Sequence, residues 1–124
     1  MPGRALRRSR AVGAAVARVR AVADELTTAV DRLVAQVAHW ELPRWSTALP
    51  SGGTRAERVF GLVQRLADRA ADAEGEPRRE VPRLGPQNLA DQVRVMAADL
   101  VLAGADPAVL ADAAADVLET RRLL

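Results

Sequence analysis

The chain has 124 residues, with 18 Arg and Lys together against 16 acidic residues, one His and no Cys, for a formal net charge of +2. Disulfides, thiolate metal sites and thiol nucleophiles are excluded, and any imidazole chemistry would have to use His39. No uncharged run approaches the ~18 residues of a membrane span, and a chain of this length hides roughly two-thirds of its unfolded surface, enough for one core without staples.

Every basic residue is Arg, Ile is absent, and about a fifth of the chain is Ala. Ala, Arg, Gly and Pro share GC-rich codons, so the composition reads as that of a high-GC, bacterial genome. That origin weakens any argument that Arg was selected over Lys for phosphate recognition. The charge is uneven. Residues 1–20 carry Arg4, Arg7, Arg8, Arg10, Arg18 and Arg20 with no acid, which gives +6. Residues 21–124 carry 12 Arg and 16 acids, which gives −4. The chain divides into a basic N-terminal arm, residues 1–11, and one helical domain, residues 12–124. A secretory signal is not expected, because the weakly apolar run at 11–17 is stopped by Arg18 and Arg20. The cytoplasm is the default expectation.

The first helix is predicted over residues 12–40. Val12, Val16, Val19, Ala23, Leu26, Val30, Leu33, Val37 and Trp40 recur at alternating spacings of 4 and 3, an a/d seam. Only Arg20 is charged among the flanking e and g positions. A two-stranded coiled coil usually carries opposite charges there, so the wide apolar stripe points to a bundle instead. Pro43 is expected to end this segment. Residues 41–53 then read as a long loop.

Thr54-Arg55-Ala56-Glu57 is a capping box that opens the second helix. Val59, Val63, Leu66, Ala70 and Ala73 form its seam, widened by Phe60 and Leu62, and Gly75 is a natural stop. Residues 75–85 read as an extended linker. Pro86 suits the first position of the third helix, whose seam is Leu89, Val93, Met96, Leu100 and Ala103 before Gly104. Asp106-Pro107 opens the fourth, with Leu110, Ala114, Val117 and Arg121 on its stripe. The tight corner at 104–105 implies an antiparallel hairpin of helices three and four. The predicted fold is all-α: a four-helix bundle with a long N-terminal helix whose first turns overhang the rest.

Few residues nominate chemistry. His39 falls on the solvated row shared by Arg18, Glu25 and Arg32, with no second ligand in reach. The i,i+4 pairs Asp112/Asp116 and Asp68/Asp72 sit on polar faces, without the inward Glu-x-x-His of di-metal bundles. Ser51-Gly52-Gly53-Thr54 leads into a helix but lacks the Lys of a phosphate loop, and reads as a flexible lead-in. A helix-turn-helix reading of the last two helices fails on charge, since Asp106, Asp112, Asp116 and Glu119 would repel phosphates. No metal or cofactor is expected, and the reading is non-enzymatic; an active site in the Trp-containing loop is the weakest alternative.

Two features remain. Trp40 and Trp45 either cover the open end of the bundle or anchor a partner, because Trp and Arg are favoured at hot spots. The basic arm, with Arg4, Arg7, Arg8 and Arg10, is a tail, a nucleic-acid contact or a weak contact to an anionic membrane. The expected function is a small helical protein-interaction module, adaptor or regulatory, that binds another protein or itself. The contact residues would be Val12, Val16 and Val19 with the two Trp, and a homodimer through the first half of helix one is the simplest assembly. The alternative is a nucleic-acid-associated protein that uses the Arg-rich arm.

Overall fold

Ala, Leu and Arg are strong helix formers, and they fill the start of the chain, so the first helix begins well before the apolar seam does. The computed structural model describes residues 2–124, with side chains described from Arg7 onward. Helix α1 runs over Pro2–Val37, where the seam alone predicts a start near Val12. Pro2 at its first position loses no hydrogen bond there. The helix ends at Val37 rather than Trp40. The Trp40 N–H turns back to the Val37 carbonyl at 3.0 Å.

The segment predicted as an irregular loop holds a short helix, α2, over Leu42–Trp45. Pro43 does not end a helix here; it lies in the first turn of a new one, where its missing N–H costs nothing. Helix α3 spans Arg55–Glu74 with the capping box complete: the Glu57 N–H donates to Thr54 Oγ1 at 3.1 Å, and the Thr54 N–H donates to Glu57 Oε2 at 3.4 Å. Gly75 closes it in the left-handed conformation, φ 67°. A 3-10 turn at Pro86–Asn88 leads into α4, Leu89–Leu102, and α5 spans Pro107–Arg122. Asp106 caps α5 by position only; its side chain makes no capping hydrogen bond. The molecule is 75% helical with no strand among the described residues.

Topology departs from a simple hairpin order. The most extensive contacts are α1 with α5 and α3 with α4; α1–α4 and α3–α5 are the lesser pairs. The two helices joined by the tight corner are therefore not packed partners. Their apolar stripes reach past each other to α3 and to α1. Gln36 accepts from Arg121 Nε, and seven residues earlier on both helices Ala29 and Ala114 line one groove, so α1 and α5 run parallel. Arg55 reaches the Leu124 carbonyl and Arg65 reaches Asp116, so α3 and α5 are antiparallel. Phe60 co-lines a groove with Leu89, and Ala71 co-lines one with Asp99, so α3 and α4 are parallel.

A parallel pair requires the linker to return along α3, and Gln64 holds it there. Its side-chain amide accepts from the Val81 N–H and donates to the Arg79 carbonyl, both at 2.9 Å. Gln92 donates to the Pro82 carbonyl at 2.9 Å, and Val81 is buried. The side chains thus act as a substitute strand edge for residues 79–82.

The core runs between these four helices. Leu26 and Leu33 of α1, Leu62 and Leu66 of α3, Leu100 of α4 and Leu110 of α5 are among its fully buried members. Some seam expectations shift by one position. Ala73 is exposed, Met96 is half-buried with Ala97 buried beside it, and Thr120 rather than Arg121 is buried at the end of α5.

Candidate interaction surfaces

The parallel pairing of α1 and α5 fixes where α1 loses its neighbour. At an offset of 85 residues, taken from the Gln36–Arg121 bond, Pro107 at the start of α5 lies level with Val22. Residues 2–21 of α1 therefore extend beyond the bundle as a helix of about 30 Å. Every residue from Arg7 to Ala21 is exposed. Val12, Val16 and Val19 stand 63%, 53% and 37% exposed, while Leu26 and Leu33 on the same seam are 1% exposed. Because α1 is continuous, the valine strip points the way the buried seam points, across the end of the bundle. Arg7, Arg8, Arg10, Arg18 and Arg20 surround it, all exposed. The side chain of Arg4 lies outside the described residues.

The bundle end beneath this overhang is acidic. Asp24 and Glu25 of α1, Glu74 near the end of α3, Asp99 near the end of α4, and Asp106 and Asp112 at the start of α5 are all exposed. None of them belongs to a salt bridge among the described residues. Leu102 caps this end and is 83% exposed.

The opposite end carries both tryptophans. Trp45 is buried and Trp40 half-buried, with ring centroids 5.0 Å apart and planes at 67°, an edge-to-face pair. The guanidinium carbons of Arg44 and Arg55 lie 5.0 Å and 5.7 Å from the Trp40 ring centre. Arg55 also donates from Nε to the Leu124 carbonyl at 3.0 Å. Trp45 thus belongs to the core, and Trp40 presents a ring already attended by two cations. His39 is exposed in the turn between α1 and α2.

The lead-in to α3 is closed on itself by hydrogen bonds. The Leu49 N–H donates to the Gly53 carbonyl at 2.8 Å and the Gly52 N–H to the Leu49 carbonyl at 2.9 Å. Gly52 and Gly53 take φ of 99° and 70°, which an L side chain resists. Arg58 Nη2 donates to Ser51 Oγ and to the Gly52 carbonyl. Those anchors occupy the loop with internal bonds.

One carboxylate expected on a solvated face is not there. Asp116 is only 15% exposed at its side chain, and it is held by Arg65 through a two-point contact at 2.8 and 2.9 Å and by Arg69 at 2.8 Å. Burial alone would raise its pKa. The hydrogen bonds and charges of the two guanidiniums outweigh burial and hold it below the ordinary value. Asp112, its i−4 neighbour, stays exposed. Sequence spacing gave no sign of this clamp, because both partners come from a helix more than 40 residues away.

Among the described residues no group of three or more His, Cys, Asp or Glu could hold a metal ion, and no helix is long and apolar enough to cross a membrane. Comparison with known proteins finds no family model, curated protein or solved structure that matches the chain.

Proposed function

We propose that the protein is a non-enzymatic helical interaction module whose contact element is the overhanging half of α1. The observation that carries this reading is the fate of the seam: its 4-3 rhythm continues unchanged into a helix that no part of the bundle covers. An apolar strip kept in register with a core, but exposed, is the signature of a surface completed by another chain. The bundle then serves as a rigid base that aims the strip. A photo-reactive residue placed at Val16 of the full chain, expressed in cells, should form protein adducts. The same probe at Val95, which is exposed and apolar but off the strip, should not. Adducts at Val16 should disappear when Val12 and Val19 are changed to Glu. Equal labelling at Val95, or none at Val16, overturns the reading.

A second reading rests on the charge of the same helix. Six Arg and no acid in residues 1–20 suit a contact with nucleic acid. Such binding would fall steeply with salt, with a slope set by the number of phosphates contacted. It would be abolished by deleting residues 1–10 while the bundle keeps its helicity. The absence of duplex or single-strand binding at low salt excludes it.

A further inference from the structure

We infer that the cleft between the first turns of α3 and α4 binds a small aromatic anion that also carries a hydroxyl or N–H donor, a molecule of the hydroxybenzoate kind. The cleft and the overhang of α1 share no residue, so this inference goes beyond the interaction reading and does not depend on it. Three observations carry it.

The first is an acceptor without a donor. Gln92 is 7% exposed. Its Nε2 donates to the Pro82 carbonyl at 2.9 Å, which fixes the amide. Its Oε1 is buried and receives no hydrogen bond from the chain. A buried polar atom left in that state is costly, and folded chains rarely keep one without a use. Gln92 forms part of the wall of a cavity of about 170 Å³. Pro82 is not part of that wall, so the amide turns its nitrogen away from the cavity and keeps its oxygen for it.

The second is the shape of the cavity. Ala56 and Phe60 of α3 and Leu89 of α4 give it apolar sides. Leu89 and Gln92 are buried and form its floor, while Glu57, Arg83 and Leu84 are exposed and mark its mouth. A cavity of about 150 Å³ accepts one benzene ring, so this one holds a single aromatic ring with a substituent. Water is a poor occupant. A buried water makes about three hydrogen bonds, and the floor offers one acceptor among carbons. A ring hydroxyl or N–H satisfies Oε1 while the ring itself covers the carbons.

The third is the charge at the mouth. The Arg83 guanidinium carbon lies 4.1 Å from the centre of the Phe60 ring, and Arg83 belongs to no salt bridge among the described residues. Glu57 stands at the same mouth and offsets that charge, but its carboxylate already accepts from the Thr54 N–H in the capping box. The parallel course of α3 and α4 sets two helix N-termini at this cleft, each equivalent to about half a positive charge. The balance favours an anion. The ligand's carboxylate therefore faces Arg83 at the mouth, and its donor faces Gln92 at the floor.

Titration of the isotope-labelled full chain with para-hydroxybenzoate, followed by NMR, should shift the amides of Ala56, Phe60, Gly85 and Leu89 and the side-chain NH2 signals of Gln92. The amides of residues 12–20 should not move. Benzoate lacks the donor and should bind at least tenfold more weakly. Phenol lacks the carboxylate and tyramine reverses the charge, and each should bind at least threefold more weakly. Gln92→Met should bind para-hydroxybenzoate and benzoate alike. Arg83→Gln should lose at least threefold for para-hydroxybenzoate and nothing for phenol. Ala56→Leu leaves the Gln92 amide in place but fills the cavity, and should abolish binding of every probe. Circular dichroism of each variant must match the parent helicity. The inference is overturned by the absence of any shift at millimolar probe, which leaves water alone at Gln92, by shifts that lie elsewhere, by benzoate or tyramine that binds as tightly as para-hydroxybenzoate, or by Ala56→Leu that still binds.

Discussion

The two halves of α1 obey one rule and meet opposite fates. Residues 7–21 are all exposed, and the half beyond them buries Leu26, Ala29, Val30, Leu33 and Val37. The spacing of the apolar residues does not change between them. What changes is the neighbour: α5 begins level with Val22, and nothing among the described residues lies beside the helix before that point. The first half is held as a helix by propensity, from Ala and Arg, and the second by packing. Periodicity therefore tells which face of a helix is meant to be covered, and the lengths of the other helices tell whether this chain can cover it.

The comparison can be tested by substitution on either side of the boundary. The largest effect is expected from Leu33→Ala, which removes a side chain 1% exposed in the core and should cost about 2–5 kcal/mol. Val16→Ala deletes two carbons from the same seam, where Leu33→Ala deletes three. It should change unfolding by less than about 0.5 kcal/mol. Urea denaturation of both variants measures the contrast, and equal losses would show that the overhang folds back onto the bundle.

A middle-sized effect should come from loosening α5. Asp116→Asn keeps the shape of the side chain but removes its charge between Arg65 and Arg69, and about 1–2 kcal/mol should be lost at neutral pH. The sign of its pH dependence follows from the lowered pKa. The carboxylate's contribution is complete above the ordinary value of 3.8 and is lost as pH falls through the lower folded value. The gap between parent and variant should then close in that acid range. Hydrogen exchange should accelerate at residues 26–37, which α5 covers, and stay unchanged at residues 8–20. Acceleration in both stretches alike would break the distinction between them.

A smaller effect than at Asp116 is expected at Gln64. Gln64→Ala frees the Val81 N–H and the Arg79 carbonyl, at a cost of about 1 kcal/mol. Exchange at the Val81 amide should rise with no change in the overhang. Full protection of that amide in the variant would show that the return of the linker needs no help from the side chain.

Much of this architecture was legible in the residues. The capping box at Thr54–Glu57, the stop at Gly75, the corner at Gly104 and the overhang of α1 all follow from local rules about caps, glycines and helix lengths. The pairing of helices was not legible. A seam shows a face but not which of three other helices will meet it, and the α1–α5 and α3–α4 pairs depend on a linker that runs back along α3. The Gln64 and Gln92 bonds that hold this linker have no period and no motif. The Asp116 clamp was hidden for the same reason: a carboxylate four residues from another looks solvated until a distant helix brings two Arg beside it. From the sequence Trp45 suits an end cover or an anchor; its burial depends on α2, a one-turn helix too short to leave a periodic trace.

The parallel return of the linker has a kinetic consequence. Residues 55–102 hold α3, its returning strap and α4, and their contacts are close in sequence, so this unit can form early. Closing α1 onto α5 instead joins positions 85 residues apart, as in the Gln36–Arg121 bond, and the loop-closure entropy falls on that step. During synthesis α1 emerges before the other described helices and waits for α5, the last of them to be made. Until then its entire seam, from Val12 to Val37, is available to whatever helix is nearby.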